Sequence, residues 1–90
     1  MAYLVHERHV SLIGADGQSY SRVRVYAREM PGGTWEGWLE FITDGGEIVA
    51  SDRETTQSRQ EDVSYWATEL ETIDLEDALR RALEVRAPAR

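Results

Sequence analysis

The 90-residue sequence contains no cysteine, so it has neither a disulfide framework nor thiolate ligands for a zinc site. No stretch approaches the roughly 18 apolar residues of a membrane-spanning helix, and the first residues lack the basic region and apolar run of a signal peptide. We therefore expect a soluble, cytoplasmic protein that does not associate with a membrane.

Lysine and asparagine are also absent, and all ten basic residues are arginine. Their distribution is uneven, because residues 1–31 contain four arginines and three acidic residues, whereas residues 32–90 contain six arginines and fourteen acidic residues. The net charge of −7 is therefore concentrated in the second part of the chain. Negative charge repels phosphate, so nucleic acid is not the partner that we expect.

No spacing in the chain matches a catalytic, metal-binding or phosphate-binding motif, so we predict no catalytic residue, no metal and no cofactor. His6, Glu7 and His9 come nearest to a metal site. Positions three apart in a strand point to opposite faces, however, which keeps the two imidazoles from one ion. Because catalytic partners assemble in space rather than in sequence, an enzyme of unrecognised type is kept as an alternative.

Two strand-like segments, at residues 22–28 and 35–41, flank a Pro-Gly-Gly sequence and predict a β-hairpin. A three-residue loop at residues 31–33 is preferred because it makes one face of the hairpin wholly apolar, whereas a two-residue loop would set Val25 against Glu40. Proline followed by glycine predicts a type I turn closed by a left-handed residue. The inward pairs are then Ala27–Gly37, Val25–Leu39 and Val23–Phe41, and the outward pairs are Arg28–Glu36, Tyr26–Trp38 and Arg24–Glu40.

The outward pairs of this hairpin have two interpretations. Tyrosine, tryptophan and arginine are enriched in interaction hot spots, which indicates a binding surface. Alternatively, the charged residues form a solubilising ladder in which each exposed ion pair contributes only about 0.2–1 kcal/mol. We predict a binding surface, since charge pairing does not explain a tryptophan beside a tyrosine on a solvent face. Its residues are Tyr26, Trp38, Arg24, Arg28, Glu36 and Glu40.

Four strands are predicted in all, over about residues 3–13, 19–29, 35–43 and 47–53. Either Asp44-Gly45 or Gly45-Gly46 could form the loop before the last strand, so its register is open. We expect Ile48 and Ala50 to point inward from it.

The polar segment at residues 53–57 lies where the fourth strand meets a helix. Free amide groups at such a point can hold an anion, with an arginine and threonine hydroxyls assisting. A side-chain-bonded turn that directs the helix is preferred, because threonine hydroxyls commonly satisfy nearby backbone groups. The residues of this structural turn or anion site are Arg53, Thr55, Thr56 and Gln57.

Two amphipathic helices complete the chain. Residues 58–61 fit a capping box, in which Ser58 and Glu61 satisfy amide donors that are free at a helix start. Asp74 is the predicted cap of the second helix, and residues 72–73 are a candidate connecting strand. The apolar stripes are Val63, Trp66, Ala67 and Leu70 in the first helix and Leu75, Ala78, Leu79 and Ala82 in the second.

These elements predict the α+β class, with a four-stranded antiparallel meander and two C-terminal helices packed on one face. Residues 1–87 form a single domain and residues 88–90 a frayed tail, because Pro88 ends the second helix. The predicted core consists of Val23, Val25, Ala27, Leu39, Phe41, Ile48, Val63, Trp66, Leu70, Leu75 and Leu79.

Four short runs resemble a family of small uncharacterised bacterial proteins: WEGWLEF at residues 35–41, RETTQ at 53–57, YWA at 65–67 and LEDAL at 75–79. The resemblance covers about residues 20–83 and implies bacterial origin and one small domain. It implies no activity, because none is assigned to that family. Residues 73–79 also resemble the helix cap of antitoxins with a partial ribonuclease-H-like fold, although here an additional helix intervenes.

The sequence thus favours a non-catalytic module for protein interaction or self-association that uses the Tyr26/Trp38 face. The alternative is an antitoxin-like or other nucleic-acid-associated regulator, whose sheet would present tyrosines and arginines to unstacked bases. Glu36 and Glu40 share that face and would oppose phosphate. A protein partner or a second copy is therefore preferred.

Overall fold

The first three strands are joined by tight turns, so each pairs with its neighbour in the chain. The computed structural model describes residues 1–86, and the predicted tail at 88–90 lies outside the described residues. The elements are β1 Ala2–Ile13, β2 Ser19–Glu29, β3 Trp35–Thr43, β4 Ile48–Ala50, β5 Thr55–Gln57, α1 Gln60–Thr68 and α2 Thr72–Arg86. Strands β1 to β4 form an antiparallel meander with both helices on one face, which confirms the predicted α+β class.

The hairpin of β2 and β3 has the predicted three-residue loop, and every predicted inward and outward pair is present. Met30 and Thr34 close the loop through a hydrogen bond of 2.7 Å from Met30 N to Thr34 O. The predicted turn type is wrong. Gly32 occupies the third position of the turn with φ of 95°, which is typical of type II, whereas type I needs a negative φ there.

Strand β4 is shorter than predicted and presents the opposite face. The loop before it has three residues, because Thr43 N donates to Glu47 O across 2.9 Å. Neither of the two-residue loops expected from the sequence gives this register, and a shift of one residue exchanges the faces of a strand. Val49 is therefore the buried residue, and the prediction that Ile48 and Ala50 point inward is wrong.

Residues 55–57 form β5 rather than the predicted turn, and they pair with the beginning of β3. Strands β4 and β5 thus follow one another along the same edge of β3. Ser51 bridges the interval between them, since its N donates to Leu39 O (2.8 Å) and its Oγ accepts from Leu39 N (3.0 Å). The sheet therefore has a fifth strand that the sequence pattern did not predict.

Both helices begin differently from the prediction. Helix α1 has Arg59 at its N-cap and no side-chain cap, so the predicted capping box at residues 58–61 does not form. In α2, the Asp74 carboxylate accepts a hydrogen bond from Glu71 N (2.8 Å) and so satisfies a free amide at the helix start. Residues 72–73 are helical rather than a connecting strand, because this capped turn continues directly into α2.

The core lies between the helices and the sheet face that they cover. Most of the predicted core residues are buried, but Ile48 is 48% exposed, and Trp66 and Leu70 are only partly buried. Ile48 is exposed because the register of β4 directs its side chain away from the helices, and Leu70 lies beyond the end of α1. The further buried residues of this core are Leu12, Tyr20, Val49, Ala67, Ala78 and Ala82.

Gly37 allows α1 to approach the sheet closely. It is buried on the helix-covered face, and a Cβ atom added there would lie 2.7 Å from Val63 Cγ1 and 2.9 Å from Thr55 Cγ2. Both distances are shorter than a carbon–carbon contact allows. A side chain at this position would therefore push α1 away from β3.

Replacing Gly37 with alanine should destabilise the protein by about 1–3 kcal/mol through overpacking. Gly45→Ala is the matched control, because an added Cβ there meets nothing closer than 3.9 Å. Urea denaturation of both variants and the wild type measures the difference. If Gly37→Ala is as stable as Gly45→Ala, α1 does not lie against β3 as described.

Arg8 connects the edge strand β1 to the end of α1. It lies opposite Val23 and therefore points to the helix-covered face. Its Nη1 donates to Leu70 O (2.9 Å) and its Nη2 to Ala67 O (2.6 Å). The Ala67 carbonyl lies in the last turn of α1, where the helix dipole also favours a cation, and the Leu70 carbonyl lies just beyond the helix.

His6 completes this contact. Arg8 Nε donates to His6 Nε2 across 3.2 Å, which requires that nitrogen to be unprotonated. Burial lowers the pKa of His6, and the positive charge of Arg8 lowers it further. The folded protein therefore takes up a proton at His6 only at a lower pH than the unfolded chain does.

Stability should consequently fall as pH is lowered through about 6.5, the pKa of histidine in an unfolded chain. The contribution of neutral His6 is complete above that pH and declines until the lowered pKa of the folded state is reached. His6→Gln keeps an acceptor for Arg8 but does not titrate, and His9→Gln controls for the loss of an imidazole. Denaturation between about pH 7.5 and pH 5.5 should show a weaker pH dependence in His6→Gln than in His9→Gln. Equal dependence in the two variants would contradict the Arg8–His6 contact.

Candidate interaction surface

The outer face is the face of the sheet opposite the helices. From Arg22 onward, the alternation of β2 and β3 sends every second side chain to it. All six residues of the predicted binding surface lie there together, and β1 adds residues that the sequence did not indicate. On β1, β2 and β3 the outer face consists of Ala2, Leu4, Glu7, His9, Arg22, Arg24, Tyr26, Arg28, Glu36, Trp38, Glu40 and Ile42.

Tyr26 and Trp38 form the centre of the outer face. Their rings are stacked, with centroids 5.8 Å apart and planes 20° apart. The Arg28 guanidinium carbon lies 5.4 Å from the centroid of the Trp38 ring, within cation–π range. Leu4 lies directly opposite Tyr26 on β1 and extends the apolar row, and its side chain is exposed. Trp38 is therefore half-buried by its neighbours on the same face and not by the helices.

Charged side chains border this row on both sides. On one side, Glu36 accepts from Arg28 (3.2 Å) and lies 3.7 Å from Arg53. On the other side, Arg24 pairs with Glu7 (3.3 Å) rather than with Glu40. Arg24 lies on the central strand β2, directly opposite Glu7 on β1 and Glu40 on β3.

Glu7 joins two arginines of the outer face, because Arg22 also lies 3.3 Å from its carboxylate. The hydrogen bond from Arg24, together with the charges of both arginines, keeps the pKa of Glu7 below its usual range. Glu40, by contrast, has no ion-pair partner within residues 1–85. The outer face thus offers one carboxylate to a partner.

Ile42 is a second apolar feature of the outer face. Alternation places it outward, opposite Arg22 and Ile48, yet it is only 3% exposed. Its outward position follows from Phe41 pointing inward, so the hairpin register could have indicated it. Leu4 and Glu7 could not have been found in the same way, because the register of β1 shifts between Leu4 and His6.

A shallow cavity of about 250 Å³ opens beside Trp38. It lies at the interval between β4 and β5, where Ser51 replaces a paired strand. Its lining residues are Arg28, Glu36, Trp38, Ala50, Ser51, Asp52 and Arg53. The outer face is therefore not flat at its centre, and a side chain of a partner could enter beside the indole.

The residues of the predicted structural turn or anion site do not converge. Arg53 reaches the outer face beside Glu36, and Thr56 is exposed opposite Glu36. Thr55 and Gln57 point to the other face, where Gln57 Nε2 donates to Thr55 Oγ1 (2.7 Å). Strand geometry separates them, because residues 55–57 alternate. Anion binding by these residues stays a prediction.

Glu54, in the same segment, fixes β5 to α2. Arg81 Nη1 and Nη2 donate to the two oxygens of Glu54 at 2.8 and 3.0 Å. The Glu54 carboxylate raises the pKa of Arg81. The side chain of Glu54 is only 12% exposed. This bidentate pair has the geometry that makes arginine–carboxylate contacts specific, which indicates a structural role for the segment.

His6 and His9 lie on opposite faces, as predicted, because they pair with Val25 and Arg22 respectively. Within residues 1–86, no three histidine, cysteine, aspartate or glutamate side chains are placed to hold a metal ion. Of the helices in that range, none is long and apolar enough to cross a membrane.

Comparisons with protein-family models, with curated proteins and with solved structures find no match for this chain. The likeness to small bacterial proteins and to antitoxins therefore stays a prediction. Function has to be inferred from the outer face itself.

Proposed function

We propose that this protein is a small non-catalytic interaction module that binds a protein, either a partner or a second copy, through the outer face. The observation that supports this is the stacked Tyr26–Trp38 pair on the sheet face opposite α1 and α2. A solvent face that served only solubility would need its charged residues and not this aromatic centre.

The composition of the outer face suits protein binding. Buried aromatic and arginine side chains dominate the energetics of protein interfaces, and a surrounding ring of polar contacts excludes water. Here Tyr26, Trp38 and Leu4 form the centre, and paired charges border them. The ion pairs hold the border in place without contributing much stability of their own, since exposed pairs contribute only about 0–1 kcal/mol.

A role in nucleic-acid binding has less support from the same residues. Glu7, Glu36 and Glu40 lie among the arginines of the outer face and would repel phosphate. Two of these carboxylates already occupy the guanidinium groups that a phosphate would need. A protein surface with its own charged groups matches this mixed pattern better.

Replacing Trp38 with serine should weaken association and lower stability by about 1–3 kcal/mol, because the half-buried indole loses both its contact with Tyr26 and its burial. Tyr65→Ser is the matched control, because Tyr65 is 69% exposed on α1, away from the outer face. Sedimentation velocity measures self-association, and co-purification with the tagged protein measures partner binding. Association that is unchanged in Trp38→Ser, or equally reduced in Tyr65→Ser, would remove the support for this surface.

A further inference from the structure

Resting on the proposed function, we infer that the occupant of the outer face is a second copy of the same chain. The two copies pack outer face to outer face about a two-fold axis that runs parallel to the strands, between β2 and β3. In this arrangement β2 of each copy lies over β3 of the other.

The charge pattern of the hairpin carries this inference. The outward residues at the centre of β2 are two arginines and a tyrosine, and those of β3 are two glutamates and a tryptophan. Each arginine lies directly opposite a glutamate, and the two aromatic residues lie opposite each other. The three outward pairs are Arg28–Glu36, Tyr26–Trp38 and Arg24–Glu40.

A two-fold axis parallel to the strands makes this pattern complementary to itself. Rotation about that axis places β2 of one copy over β3 of the other without shifting either along the strands. Each outward pair of one copy therefore faces the same pair of the other. Arg24 and Arg28 of one copy then face Glu40 and Glu36 of the other, and Tyr26 faces Trp38. An axis across the strands would instead place arginine over arginine and glutamate over glutamate, which costs free energy.

Glu40 and Arg24 are the decisive pair. Arg24 shares Glu7 with Arg22, whereas Glu40 has no ion-pair partner within residues 1–85. In the two-fold arrangement, Glu40 of each copy gains Arg24 of the other. The carboxylate that the single chain leaves unpaired is therefore the one that the second copy satisfies.

The geometry of stacked sheets permits these contacts. Aligned sheets pack about 10 Å apart with strands rotated by about 30°. The charged rows lie only about 7 Å from the central aromatic row along the strands, so the rotation displaces facing groups by about 3–4 Å. Arginine and glutamate side chains are long enough to span that displacement.

The overall charge also favours this face over any other. The outward arginine and glutamate side chains of β1 to β3 are three of each, so their charges balance. The net charge of −7 therefore lies elsewhere on the chain. The outer faces therefore meet with balanced charges, whereas surfaces that carry the excess acidic residues repel each other. A contact that spans four strands and four outward residues along each strand buries roughly 450 Å² per copy. This area is smaller than that of a standard stable interface, so we expect a weak, concentration-dependent dimer.

Charge reversal in separate chains tests this arrangement. Arg24→Glu and Glu40→Arg should each weaken self-association by about tenfold or more, because each dimer then opposes like charges twice. An equimolar mixture of the two variants should regain the wild-type affinity as a heterodimer, since both cross-copy pairs are then complementary. Arg80→Glu is the control, because Arg80 is exposed on α2. Sedimentation equilibrium over a wide concentration range measures the affinities, and thermal melts confirm that each variant folds.

Recovery in the mixture would support the arrangement, because an intramolecular role of either residue could not be rescued by another chain. A wild-type protein that stays monomeric would overturn the inference, and Trp38→Ser would then test the proposed function on a different protein partner. Dimerisation that Trp38→Ser disrupts but the mixture does not restore would overturn the arrangement and leave the proposed function standing. Dimerisation that neither Trp38→Ser nor charge reversal affects would overturn both.

Discussion

The register between β2 and β3 is the constraint on which the rest of the structure depends. A loop of three residues places Val23, Val25 and Ala27 on one face with Phe41, Leu39 and Gly37. A shift of one residue would exchange the faces of a strand and break the apolar set. Burial of that set under two helices therefore fixes the register, and the same register determines what the opposite face presents.

The two faces of this hairpin are coupled in a second way. Gly37 brings α1 close to β3, and Arg8 holds the end of α1 against β1, so α1 is fixed to one face. Trp38 follows Gly37 directly and points away from the helices. Packing on the inner side thus leaves Trp38 to be covered only by its neighbours or by another molecule.

The hairpin could be predicted from the sequence because its two strands have a single register that separates apolar from charged residues. The same reasoning failed for β4. A loop of three residues instead of two shifts the register of β4 by one position, and Ile48, Val49 and Ala50 are all apolar, so their pattern does not indicate which of them is buried. Because the register of β1 shifts between Leu4 and His6, simple alternation could not predict that Leu4 and Glu7 both lie on the outer face. Arg8 reaches carbonyls about sixty residues away in sequence, which no local pattern indicates. The six predicted binding residues lie together, whereas the strand at residues 55–57 disperses the predicted anion site.

The most direct test of association through the outer face is a dilution series followed by nuclear magnetic resonance of the labelled protein. Concentration-dependent shifts should be concentrated in β1 to β4 and the Trp38 indole, and isotope-filtered spectra should show contacts between Arg24 of one copy and Glu40 of the other. Shifts concentrated on α1 and α2 would contradict the account, as would spectra that do not change with concentration.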